Sequence, residues 1–149
     1  MSFYLVTGGA GFIGSALVRR LLEEGAHISV ADDFSTGFRQ NLSEVLERIA
    51  LLEGDLADPA VARRAVDGVD YVLHQAAIPS VQKSVEDPIS SSRANVTATL
   101  NVLVAARDAR VKRLVYASSY SVYGLGDSSE GRDHARKPGL AVCAFQDGW

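Results

Sequence analysis

Gly8, Gly11 and Gly14, in the run TGGAGFIGS (Thr7 to Ser15), are spaced as a backbone cradle for phosphate would be. They stand between a short apolar, β-rich run, FYLVT (Phe3 to Thr7), and the start of a helical period. A glycine turn in that setting suits the pyrophosphate of a dinucleotide. Gly8 permits the tight turn, Gly11 lets the backbone approach the phosphates, and Gly14 lets the helix lie close to the sheet. The unpaired N–H groups and partial positive charge of the helix N-terminus then face the anion. Asp32 ends the next strand-like run, 18 residues after Gly14, where a carboxylate can accept both hydroxyls of an adenosine ribose. A 2'-phosphate would be repelled there, so NAD is the expected cofactor rather than NADP; Asp33 is an alternative acceptor. Further on, GDLAD places Asp55 and Leu56 at the end of a third strand, with Asp55 able to meet an adenine edge. HQAAIPS (His74 to Ser80) supplies small residues that would let a dinucleotide pass close to the backbone. His74 reads as a packing or locally hydrogen-bonded residue, and His27 and His134 have no partners at metal-ligand spacing.

These residues need elements to place them. Strand-like runs at Phe3–Thr7, 26–33, 50–55, 70–77 and 113–119 alternate with helical ones. The first helix carries Phe12, Ile13, Ala16, Leu17 and Leu21 on one expected apolar face, with Gly25 at its C-terminal end. A weakly helical stretch covers 40–48. The segment 58–66 opens with an Asp N-cap and Pro at the first helical position. A long helix covers 89–109. Alternation of this kind predicts an α/β doubly wound parallel sheet of about five strands in the order 3-2-1-4-5. From Leu125 the pattern fails, so the expectation is a dinucleotide-binding domain over 1–124 and an irregular tail over 125–149.

Composition excludes several classes. The 149 residues are 47% hydrophobic and 22% charged, with a net charge of -3. That balance offers no basic face for nucleic acid or an anionic membrane. No apolar run approaches the roughly 20 residues needed to span a bilayer. One cysteine, Cys143, excludes an internal disulfide framework and fits a reducing cytosol. With no signal-peptide pattern at the N-terminus, the expected location is cytoplasmic.

TGGAGFIGS, DDFSTG, GDLAD, HQAAIPSV, SVEDP, RANVTATLNVLVAA and YASSYSVYG together resemble the extended short-chain dehydrogenase/reductases. More narrowly, they are similar to NAD-dependent nucleotide-sugar 4-epimerases of the UDP-glucose/UDP-N-acetylglucosamine type. The resemblance implies that Gly8, Gly11, Phe12 and Ile13 line the pyrophosphate, and that Asp32 and Asp33 hold the adenosine ribose. It places Asp55 and Leu56 at the adenine, Gln75, Ala76 and Ala77 beside the cofactor, and Asn95 near its nicotinamide half. Ser119 matches the family's catalytic Ser/Thr, which hydrogen-bonds the sugar 4-oxygen; Ser121 is a second candidate. A UDP-sugar substrate and a homodimer are implied for the full-length family.

The resemblance also implies a Tyr-x-x-x-Lys pair, in which a nearby cation lowers the tyrosine pKa so that it can act as a base near neutral pH. None of the five tyrosines has a lysine four residues later, and the expectation is that the substrate domain is absent as well. The genetic code offers a reason. Read one nucleotide out of frame, Leu140 to Gln146 can spell SPYALSK, and Gly131 to Arg136 can spell DETMPE. The expectation is a frameshift between about Gly124 and Gly131. Three functional readings stay open: the NAD-binding part of a 4-epimerase, inactive or nearly so alone; a non-catalytic NAD-binding regulatory or interaction module; and a fragment of a dehydratase or reductase of the same family.

Overall fold

The computed structural model describes residues 2–119. Ser121, the expected boundary at Gly124, the 125–149 tail and the shifted-frame segment lie outside the described residues.

Five parallel strands form one sheet: β1 (Phe3–Thr7), β2 (His27–Asp32), β3 (Ala50–Glu53), β4 (Tyr71–His74) and β5 (Arg113–Tyr116). Their order is β3-β2-β1-β4-β5, as the strand–helix alternation predicts. Successive residues of a strand point to opposite faces, so β1 and β2 must be apolar on both sides. Leu5 and Ala31 accordingly join one core, with Ala62, Val66, Val102 and Ala106 of the helices beneath it. Val6 and Val30 join the other, with Val18 and Leu22 of α1 (Phe12–Glu23).

The first core is closed by α2 (Pro59–Val66) and α5 (Ala98–Asp108). As expected, Asp58 caps α2, accepting the Ala60 N–H at 2.8 Å, and Pro59 occupies the first helical position. Two short helices, α3 (Val81–Glu86) and α4 (Pro88–Ser92), precede a five-residue π-helical turn, Arg93–Thr97, that leads into α5. The expected long helix is therefore present but carries a π turn, and α3 was not expected. The weakly helical stretch at 40–48 resolves into two 3-10 turns, Arg39–Leu42 and Leu46–Arg48.

The expected apolar face of α1 is rotated. The residues that bury are Gly14, Ser15, Val18 and Leu22, while Phe12 and Ile13 are 91% and 61% exposed. Gly14 sets this rotation: a Cβ there would stand 2.1 Å from the Gly8 carbonyl oxygen, so the glycine must face the turn. The helix can then lie against the sheet only with the Gly14/Val18 side inward.

Candidate functional site

Parallel pairing aligns the carboxyl ends of the strands on one edge. Thr7 is level with Ala31 and with His74, Asp32 with Glu53, and His74 with Tyr116. A crevice runs along this edge over β3, β2, β1 and β4. Its lining follows the lateral order of the strands: Asp55 and Leu56 after β3, Asp32 and Asp33 after β2, Gly8 and Gly11 after β1, then Gln75, Ala76 and Ala77 after β4. Nine sequence-predicted residues thus meet in one groove, although they come from four separate segments.

In the middle, Gly8 has a φ of +64°, and a Cβ there would meet the Ala76 backbone nitrogen at 2.7 Å. The glycine turn and the β4 exit therefore touch backbone to backbone, and no other residue type fits. Gly11 is the N-cap of α1 and offers no side-chain cap. The first N–H groups of the helix, which lack intrahelical partners in any α-helix, are left to an outside acceptor. This is a cradle whose shape and donor set fit a pyrophosphate. Phe12 and Ile13 lie on the first turn at its rim.

Asp32 is buried, and its carboxylate ties two segments together. Oδ2 accepts the Ala10 N–H at 2.8 Å, and Oδ1 accepts the Phe34 N–H at 2.8 Å. The carboxylate is thereby pinned facing the crevice, with lone pairs remaining for hydroxyl donors. Asp33 is exposed, and its Oδ1 accepts both the backbone N–H and the hydroxyl of Ser35. The two neighbours thus divide the work: Asp32 fixes the pocket and Asp33 folds the loop beside it.

Asp55 also turns back on its own loop, with Oδ1 accepting from Ala57 N–H, while Oδ2 accepts from Nε and Nη2 of Arg93 at 3.0 and 2.8 Å. Arg93 stands on the π turn, so this ion pair bridges the two walls of the crevice at its β3 end. Both partners are substantially solvated, so the pair is a weak, salt-sensitive tie.

Asn95 does not line the crevice; its amide grips the backbone of Ile78, which does. Oδ1 accepts the Ile78 N–H at 2.8 Å, and Nδ2 donates to the Ile78 carbonyl at 3.2 Å. His74 is buried between Thr7 and Thr99 hydroxyls, and burial pushes its pKa down to about 4. Ser119 lies three residues beyond β5 on the same edge, half-buried. No group of three or more metal-ligating side chains occurs among the described residues.

Sequence reasoning missed Ser35, Thr36 and Gly37 on one wall, and Ile78, Ala94 and Ala98 on the other. The first three belong to DDFSTG, where a loop between a strand-end carboxylate and a weak helix was the available signal. Ala94 and Ala98 carry no chemical signal; they matter because they are small.

A family profile described as "NAD dependent epimerase/dehydratase family" matches residues 4–139. The chain is 40% identical over 124 residues to the UDP-glucose 4-epimerase of Streptomyces lividans, covering 81% of this chain and 37% of that enzyme. Among solved structures it is similar to the UDP-glucose 4-epimerase of Thermus thermophilus in complex with NAD. That match has a TM-score of 0.85 and 36% identity over 97% of this chain and 48% of the other. It is also similar to DesIV, a dTDP-glucose 4,6-dehydratase from Streptomyces venezuelae with NAD and TYD bound. There the TM-score is 0.90 and the identity 35%, over 98% of this chain and 48% of that one. The chain spans well under half the length of the curated relatives it matches.

Proposed function

Because the chain belongs to the NAD-dependent epimerase/dehydratase family, we propose that its crevice binds NAD and that it is the N-terminal, cofactor-binding part of a nucleotide-sugar 4-epimerase. The observation that carries this reading is the order of groups along the carboxyl edge. Carboxylates stand at β3 and β2, the glycine turn and helix N-terminus at β1, and a small-residue wall at β4. That order matches adenosine, pyrophosphate and second nucleoside laid across the sheet. Asp32 accepts the adenosine ribose hydroxyls, Asp55 and Leu56 border the adenine, and the free N–H groups of α1 hold the phosphates. Gln75, Ala76 and Ala77 border the nicotinamide half.

NAD, when bound, supplies a hydride acceptor that can return the hydride to the other face of a transiently oxidised sugar C4. Ser119, just beyond β5, is the residue proposed to hydrogen-bond the sugar 4-oxygen, with Ser121 the second candidate. A UDP-sugar substrate and a homodimeric assembly are proposed for the whole protein on the strength of the resemblance. The proton-accepting Tyr-x-x-x-Lys pair does not occur in this sequence, so the chain by itself is expected to bind NAD without epimerising UDP-sugars. The same absence favours, as a second reading, a non-catalytic NAD-binding module, and the likeness to DesIV keeps a dehydratase alternative.

The shifted-frame reading accounts for the missing pair, and sequencing the coding DNA tests it. A Tyr-x-x-x-Lys codon set in the alternative frame across Leu140 to Gln146 supports a frameshift; stop codons there would refute it. The functional reading is tested by titrating NAD into the chain and assaying the same preparation with UDP-glucose and UDP-N-acetylglucosamine. Binding without turnover is expected. Turnover would contradict the account of the missing base.

A further inference from the structure

The hydrogen bonds around His74 fix which ring nitrogen carries its hydrogen. Thr99 donates its only hydroxyl proton to the Asn95 carbonyl at 2.6 Å, so toward His74 its oxygen can only accept. The ring nitrogen facing it, Nε2, stands 2.9 Å away and must carry the hydrogen. On the other side, Thr7 Oγ1 accepts the Ala76 N–H at 3.2 Å and shares the Gln75 N–H with the Thr7 backbone carbonyl, each at 3.1 Å. With these two N–H groups facing its lone pairs, the Thr7 hydroxyl proton points to His74 Nδ1 at 2.7 Å, consistent with the bare Nδ1 that the Thr99 contact requires. The Thr99 contact therefore assigns one tautomer, which the Thr7 contact matches: a neutral ring protonated on Nε2. A second hydrogen on Nδ1 would bring a third donor to Thr7 Oγ1, in competition with the Gln75 and Ala76 N–H groups.

The loop these bonds hold is the far wall of the crevice. Thr7 pins it at Gln75 and Ala76, and the Asn95 amide pins it at Ile78. His74 joins the two pins through Thr99 and the Asn95 carbonyl, linking the end of β1 to the π turn. We propose that His74 is a positioning residue, whose fixed tautomer couples Thr7 to Thr99 and so holds the Gln75–Ile78 wall in the shape that receives the second nucleoside of the cofactor. This rests on the reading of the crevice as a dinucleotide site.

The lateral order of the crevice supplies a selective test. AMP would reach no further than the glycine turn, whereas NAD extends past Gly8 to the wall that His74 holds. Thr99 does not line the crevice, so replacing it acts only through the network. Thr99→Val removes the acceptor for Nε2–H at nearly constant shape, and Thr99→Ser restores it. The expected result, in samples shown to be folded by circular dichroism, is about a tenfold loss of NAD affinity in Thr99→Val, consistent with losing one buried hydrogen bond. AMP affinity should be unchanged, and Thr99→Ser should recover NAD affinity. Nitrogen NMR of the native imidazole should show a proton on Nε2 only, independent of any ligand.

Equal losses for AMP and NAD, or unchanged NAD affinity in Thr99→Val, would overturn the positioning role. A ring protonated on Nδ1, or exchanging between tautomers, would overturn the network itself. If the native chain binds AMP and NAD no better than buffer, the dinucleotide reading fails and the inference falls with it. That outcome leaves the tautomer result standing, so the two failures are distinguishable.

Discussion

Asp32 does two jobs with one carboxylate, and they can be separated by measurement. In the folded chain it accepts the Ala10 and Phe34 N–H groups, and Ala10 is fully buried. Asp32→Ala leaves a buried donor unpaired, which costs about 1–3 kcal/mol, and the loss should appear as a lower urea midpoint without ligand. Asp33→Ala removes an exposed loop bond and should cost well under half as much. His74 gives a pH signature of its own. Its pKa is lowered from 6.5 to about 4 by burial, so the unfolded chain takes up a proton in that window while the folded chain does not. The stabilisation is complete above pH 6.5 and is lost as pH falls toward 4, by about 3 kcal/mol in all. Urea titrations at about pH 7, 6 and 5 should show this slope, and a His74→Gln chain should flatten it. Ser91 behaves oppositely. Its hydroxyl is buried without a hydrogen-bond partner among the described residues, so Ser91→Ala should match or exceed native stability in the same assay. At this scale, the place of Asp32 on the crevice was legible from its position at a strand end after the glycine turn. The Asp55–Arg93 pair was not, since 38 residues separate its partners and only the folded topology joins them.

Elements carry the positioning, and α1 shows how a sequence pattern misleads there. Counting apolar residues put Phe12 and Ile13 on the buried face, whereas backbone contact at Gly14 decides the rotation and leaves both exposed. Gly14→Ala should therefore be severe, because the clash is with backbone that has no room to shift; a loss above about 3 kcal/mol, or failure to fold, is expected. Gly11→Ala, whose Cβ would sit 3.2 Å from the Gly8 carbonyl, should fold and lose affinity for NAD instead. Comparative thermal melts of the two variants check this ranking, and a more stable Gly14→Ala than Gly11→Ala would reverse it. The strand order was legible because parallel strands with helical crossovers leave few topologies. The π turn was not, because no residue type in Arg93–Thr97 marks one and it differs from an α turn only in how its hydrogen bonds are paired. Six-residue α3 likewise lies below the length at which periodicity is informative.

On the scale of the whole molecule, the described residues form two apolar cores about a five-stranded sheet, while the chain covers only 36–37% of the first matched curated relatives. Among the described residues no helix is long and apolar enough to cross a membrane. Every group assigned to the adenosine and phosphates comes from these residues, so cofactor binding is the property that they should show alone. The central claim is that the crevice selects NAD through Asp32, and isothermal titration with NAD and NADP, on the native chain and on folded Asp32→Ala, addresses it directly. The account predicts saturable NAD binding at one site, at least about tenfold weaker NADP binding, and loss of that preference in Asp32→Ala. Equal affinity for the two cofactors in the native chain, or no NAD binding at all, would contradict it.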